Sequence, residues 1–136
     1  MKVKCIKNKR YMFPRELVMQ GNTLTTIFKG LCIDGVYNVY GMCLSGGEIK
    51  YLLHDKYAYA MWYYADLFEV IDHRLPSDWY HTFLGYRENS VSNVWGYKEL
   101  IMHTNHFDDL VDLKEEALEI FHLRKKQMDH MYNRED

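Results

Sequence analysis

The chain reads as an α+β protein, a small antiparallel β-barrel followed by a helical segment packed on it. Three observations predict this. Between Leu31 and Ile71, short runs of β-forming residues alternate with turn dipeptides, the pattern of a small all-β unit. Beyond residue 100 the apolar residues recur at helical spacing. The length, 136 residues with 48% apolar, suits one domain and a real core, with residues 1–72 as the barrel-like half and 73–136 as the helical half.

Lys2-Val3-Lys4-Cys5-Ile6 alternates polar and apolar side chains and predicts a first strand. Residues 7–30, with Pro14, Gly21 and Gly30 among threonines, predict a long loop with room for a short element. Asp34-Gly35 marks a turn. A strand from Val36 to Tyr40 then continues past Gly41 into Met42-Cys43-Leu44. Ser45-Gly46-Gly47 is a hairpin turn, because glycine supplies positive φ without steric cost. Glu48–Leu53 is the return strand, His54-Asp55-Lys56 the next turn, and Tyr57–Tyr64 an aromatic strand. Ala65–Phe68 suits one helical turn and Glu69-Val70-Ile71 a closing strand.

The pattern Val3-Lys4-Cys5-Ile6, Gly35-Val36-Tyr37-Asn38-Val39, Tyr51–Asp55 and Asp66-Leu67-Phe68-Glu69-Val70 resembles the SH3-like barrels of many small bacterial and phage proteins. It covers about half the chain. The resemblance implies a fold and says little about activity, because such barrels carry many.

In the second half, Leu75–Trp79 predicts a helix start and residues 85–93 a polar loop. Val94–Met102 spaces Trp95, Tyr97, Leu100 and Ile101 for one helix face, although Gly96 weakens a helix by about 1 kcal/mol relative to alanine. Thr104 is a cap for a short helix carrying Phe107, Leu110 and Val111. Asp112–Glu115 fits a capping box opening a last helix over 113–131. That helix has Leu113, Ala117, Ile120, Phe121 and Met128 on one face. Glu115 and Glu116 near its start, and Arg124, Lys125 and Lys126 towards its end, complement its dipole. The segments Leu75–Trp79, Trp95–Leu100 and Glu116–Phe121 resemble a family of uncharacterised bacterial proteins of the toxin–immunity type. The resemblance implies a protein-binding role and no particular functional residues.

The net charge of −2 argues against the whole molecule being an electrostatic nucleic-acid binder. The charge is unevenly placed. Lys2, Lys4, Lys7, Lys9, Arg10 and Arg15 meet no acid within residues 1–15, leaving eleven basic against nineteen acidic residues after them, a balance of −8. Residues 108–119 are the opposite extreme, with Asp108, Asp109, Asp112, Glu115, Glu116 and Glu119 against Lys114 alone. Each run is either solvated surface or a patch that steers a partner.

Cys5, Cys32 and Cys43 form no close-spaced pair and are expected reduced and mostly buried. The polar N-terminal residues and the absence of any apolar run near the roughly 18 residues of a membrane span predict a cytoplasmic protein.

His103 and His106 share a helix face that Asp109 extends, so a zinc site is one reading and two polar residues near a helix start the other. The pattern matches no established zinc motif. His54-Asp55 and Asp72-His73 are adjacent pairs whose members point to opposite faces of a strand, and His122 and His130 are expected to face solvent. No nucleophile elbow or phosphate loop occurs. Neither an enzyme nor a cofactor is therefore expected.

Binding remains. Candidate contact residues are the acidic run (Asp108, Asp109, Asp112, Glu115, Glu116 and Glu119) and the aromatic strand (Tyr57, Tyr59, Trp62 and Tyr63). The first function class is an inhibitor that binds a protein, most concretely an immunity protein neutralising a cognate cytosolic toxin. If the toxin were a nuclease, the acidic run would suit its basic groove. The second is an SH3-like nucleic-acid-binding or regulatory module using the N-terminal cations and the aromatic strand.

Overall fold

The structure, a computed structural model, describes residues 1–12, 24–86 and 90–134. It is α+β, with antiparallel sheets and a long C-terminal helix. The strands are β1 (Lys2–Cys5), β2 (Lys9–Met12), β3 (Leu24–Ile27), β4 (Val36–Asn38), β5 (Gly41–Ser45), β6 (Glu48–His54), β7 (Ala60–Tyr64), β8 (Phe68–Asp72), β9 (Tyr80–Phe83) and β10 (Val91–Gly96). A 3₁₀ turn (Ala65–Leu67) lies between β7 and β8, and the helices are α1 (Lys98–Met102), α2 (His106–Val111) and α3 (Glu115–Tyr132).

Among the described residues three sheets form, in the orders β4-β1-β8, β7-β6-β5-β10-β9 and β2-β3. Val3 and Cys5 are fully buried on β1, as their alternation predicts. Gly46 and Gly47, at φ 58° and 79°, make the two-residue turn between β5 and β6, a geometry whose twist matches antiparallel strands. The 3₁₀ turn sits where one helical turn was expected, and β8 returns to pair with β1.

Several expected boundaries move. The continuous strand from Val36 to Leu44 is two strands in two sheets. The Val39 N–H donates to the carbonyl of Met1 (3.0 Å) and the Tyr40 N–H to that of Leu52 (2.9 Å), so the chain changes sheets between them. The predicted loop over 7–30 contains the β2–β3 hairpin, while Pro14 and Gly21 lie outside the described residues. The aromatic strand begins at Ala60, because residues 55–59 are drawn into a turn by Asp55.

The larger correction concerns residues 75–102. No helix starts at Leu75–Trp79; a turn there leads into β9. Val94–Met102 is not one helix. Its first part belongs to β10, held between β5 and β9, and Tyr97 separates it from α1. Burial along β10 alternates with the period of a strand, Ser92, Val94 and Gly96 facing inward. Gly96 stands opposite Gly41 on β5, and Leu100 drops onto the pair. A β-carbon would come within 2.7 Å of Leu100 at Gly96 and 2.9 Å at Gly41. The glycine that counts against a helix is thus what lets α1 pack on the sheet.

The helix ends also differ from expectation. Asn105, not Thr104, precedes α2, and no side chain caps it. The capping box at Asp112–Glu115 does not form: Leu113 takes φ 54°, and α3 starts at Glu115 after Lys114. The inward face of α3 is close to the predicted one, with Ala117, Phe121, Met128 and Tyr132 buried.

Two apolar clusters result, one on each face of the five-stranded sheet. Leu52, Ala60 and Val94 face the helices, meeting Leu100, Leu110 and Phe121. Tyr51, Leu53 and Tyr63 face the β4-β1-β8 sheet, meeting Val3, Cys5 and Leu67. The polar contacts of α3 fasten the segment where the chain changes sheets. Asn38 Nδ2 (2.8 Å) and the Tyr40 hydroxyl donate to Asp129, as does Lys125 Nζ (2.7 Å), and the Tyr132 hydroxyl donates to the Val39 carbonyl (2.7 Å).

Phe121 is fully buried between α3 and the sheet, whereas Leu123 is 58% exposed. Phe121→Ala is expected to lower the unfolding free energy by about 3–5 kcal/mol. Leu123→Ala should change it by about 0.5 kcal/mol or less. Urea denaturation followed by circular dichroism measures both.

Candidate functional site

The acidic run occupies α2, the link after it and the first turns of α3. Leu110, Ala117 and Phe121 turn inward, so Asp108, Asp112, Glu115, Glu116 and Glu119 are left exposed. The link is tight. The Asp112 and Lys114 N–H groups donate to the carbonyls of Asp108 (3.0 Å) and Asp109 (2.9 Å), and Leu113 in left-handed backbone completes the reversal. Asp109 is half-buried and pairs with Lys114 at 3.2 Å. That ion pair is the one shown for the six acids among the described residues, so the surface keeps most of its negative charge. A cleft of about 450 Å³ opens beside it, with Asp109 and Glu116 together with Met102, His103 and Ile120 in its wall.

The aromatic candidates separate. Tyr57 and Tyr59 are about half exposed (52% and 49%) in the turn before β7. Tyr63 is buried, which corrects the expectation of an exposed contact there, and Trp62 is partly buried. Trp62 stacks on Phe107 of α2, ring centroids 5.1 Å apart, and Tyr63 is buried in the opposite cluster. Successive strand residues point to opposite faces, and here one packs against each of the two clusters.

Asp55 organises that turn. Its buried carboxylate accepts the N–H groups of Tyr57 (2.9 Å) and Tyr59 (3.1 Å) and the hydroxyl of Tyr63 (2.7 Å). Gly30 comes so close that a β-carbon there would lie 2.5 Å from the Tyr63 hydroxyl oxygen and 2.6 Å from an Asp55 oxygen. Burial and the neighbouring Asp55 push the Tyr63 phenol well above its ordinary range, so it stays a donor.

The histidines do not assemble a metal centre. His106 is buried and its Nε2 meets the Tyr97 hydroxyl at 2.7 Å, while His103 is exposed. No group of three or more potential ligands comes together among the described residues. Burial lowers the His106 pKa and raises that of Tyr97. Asp72 is engaged with Arg74, its oxygens 2.8–3.2 Å from the Arg74 donors. Cys5 and Cys43 are buried as expected, but Cys32 is exposed.

The basic N-terminal run is partly spent within the fold. Arg10 bonds to Asp66 (3.2 Å) and Glu48 and lies 3.8 Å over the Tyr64 ring, and Lys4 approaches Asp34 at 3.7 Å. Lys7 and Lys9 are exposed, and Arg15 lies outside the described residues.

One surface escaped the sequence reading. Tyr80, Phe83, Leu84 and Tyr86 are exposed on and just after β9, at the end of the strand order in the five-stranded sheet. The signal is the run Trp79–Leu84, whose β-forming residues suit a strand.

No helix among the described residues is long and apolar enough to cross a membrane. No protein-family model matches the chain, and neither a curated protein nor a solved structure matches it.

Asp55→Ala would leave two backbone donors and a buried hydroxyl without their acceptor. A loss of about 2–4 kcal/mol in unfolding free energy is expected. The amide resonances of Tyr57 and Tyr59 should move towards exchange-averaged positions in a nitrogen-proton correlation spectrum.

Proposed function

We propose that this protein is a binding inhibitor that presents the α2–α3 acidic surface to a basic partner protein. Its most concrete form is an immunity protein that neutralises a cognate toxin, possessing a nuclease-like basic groove, in the cytoplasm. The observation that carries this reading is the exposure of Asp108, Asp112, Glu115, Glu116 and Glu119 on one short stretch that Leu110 and Ala117 anchor in the core. Such a surface steers a positively charged partner and gains association rate from charge complementarity. The adjacent cleft offers a recess for a basic side chain between Asp109 and Glu116.

We propose an SH3-like barrel, without closure among the described residues, for the scaffold under that surface. This reading is supported by β8, which follows the 3₁₀ turn and pairs back to β1, while β10 and β9 extend the five-stranded sheet beyond β5. The nucleic-acid reading has less support. Arg10 and Lys4 are paired with acids, and Trp62 and Tyr63, which would stack bases, are packed in the two clusters.

The test starts with co-purification of the tagged chain with the product of its neighbouring gene. Association is then followed by stopped flow at low and high salt. Combined charge reversal at Asp108, Asp112, Glu116 and Glu119 is expected to slow association by about tenfold or more in low salt, with a smaller effect in high salt. An unchanged low-salt rate would remove the acidic surface from the reading. Salt-sensitive retention on an oligonucleotide column would favour the nucleic-acid alternative.

A further inference from the structure

We propose that His54 is a proton-operated latch that holds α3 on the sheet when neutral and loosens it when protonated. His54 ends β6 on the face covered by α3. Its ring lies 6.2 Å from that of Phe121 and edge-on to His122 at 5.7 Å. Its Nε2 is sealed from solvent without a hydrogen-bond partner among the described residues, and so is the Nε1 of Trp62. Leu52 pairs with Trp62 and His54 with Ala60, so His54 and Trp62 are diagonal neighbours on the same face of β6 and β7. The indole nitrogen can only donate. A neutral His54 leaves one weakly demanding nitrogen in this apolar seam; an imidazolium would bring a second, charged donor to it.

The surrounding charges give that donor no acceptor. Lys125 and His122 on α3 oppose a positive charge on His54, while Asp129 on α3 and Asp55, just after β6, favour it. Both carboxylates are already engaged. Asp55 takes Tyr57, Tyr59 and Tyr63, and Asp129 takes Asn38, Tyr40 and Lys125. The residue opposite on β7 is Ala60, which offers no side-chain acceptor. Burial, the largest cause, lowers the His54 pKa below its ordinary 6.5. Protonation of the imidazole is therefore disfavoured while α3 covers it, relative to the open chain. The His54 share of stability is full above about pH 6.5, where His54 is neutral in both states, and falls as the pH drops through that value. The fall ends near the lower native pKa, below which both states are protonated.

His106 and the Met1 amine shift in the same direction, so the test must separate the three. Imidazole and backbone amide resonances are followed between about pH 8 and about pH 4.5, and urea unfolding is measured across the same range. His54 is expected to titrate below 6.5, with amides between Phe121 and Met128 moving at the same midpoint. In His54→Gln the unfolding constant should lose a dependence of up to about tenfold per pH unit, the share of one proton, while the His106 share remains. His122→Gln, at an exposed position, should raise the His54 midpoint by removing a like charge. The latch is overturned if His54 titrates at or above 6.5, if the α3 amides do not follow it, or if His54→Gln keeps the wild-type pH dependence. Should His54→Gln fail to fold, the resonances of the wild type and of His122→Gln decide the matter.

Discussion

The β7-β6-β5-β10-β9 sheet is apolar on both faces, and most of the architecture answers that constraint. A sheet of this kind cannot leave either face in water without exposing large apolar area. One face is covered by the β4-β1-β8 sheet and the other by α1, α2 and α3. The chain crosses between the two sheets at Val39 and Tyr40, and α3 fastens that crossing through Asp129 and Tyr132. The N-terminal sheet and the C-terminal helix thus depend on the same three residues, 38 to 40.

Polar groups inside the fold are placed to make these covers specific. Asp55 closes one turn, Asp129 pins α3, and the Tyr97–His106 pair sits at the contact of β10 with α2. Arg124 on α3 holds Glu99 of α1 through two bonds, at 2.6 and 2.7 Å, which keeps the Glu99 carboxyl below its ordinary pKa. Buried groups of this kind stabilise little by themselves but cost much when a partner is lost. His54 and Trp62 stand apart because their buried nitrogens have no such partner among the described residues.

The acidic surface is a consequence of the same packing. Once Phe107, Leu110, Ala117 and Phe121 turn towards the sheet, the intervening carboxylates have only the outer face to occupy. Lys114, which could neutralise several of them, is held by Asp109. The proposed binding role therefore draws on α2 and α3 rather than on the β-strands beneath them.

Local chemistry was enough to read β1 from its alternation, the Gly46-Gly47 turn, the short turn before β8 and the inward face of α3. The acidic run was likewise legible, because a dense run of carboxylates has few places but the surface. Asp55 was read only as a turn residue, since its acceptor role requires Tyr63, eight residues away and on the next strand. Residues 94–102 were misread because Trp95, Tyr97, Leu100 and Ile101 satisfy a helical spacing, whereas the choice of strand for the first of them depends on pairing with Cys43 and Met42, some fifty residues earlier. The same holds for Trp62 and Tyr63: their alternation assigns them to opposite faces, but only the covers on both faces pack Trp62 against α2 and bury Tyr63. The sequence by itself determined where the apolar and charged side chains recur, and hence the class of fold and one candidate surface. Tertiary structure alone decided which sheet each strand joined and which aromatics met water, because those outcomes rest on contacts between segments far apart in the chain.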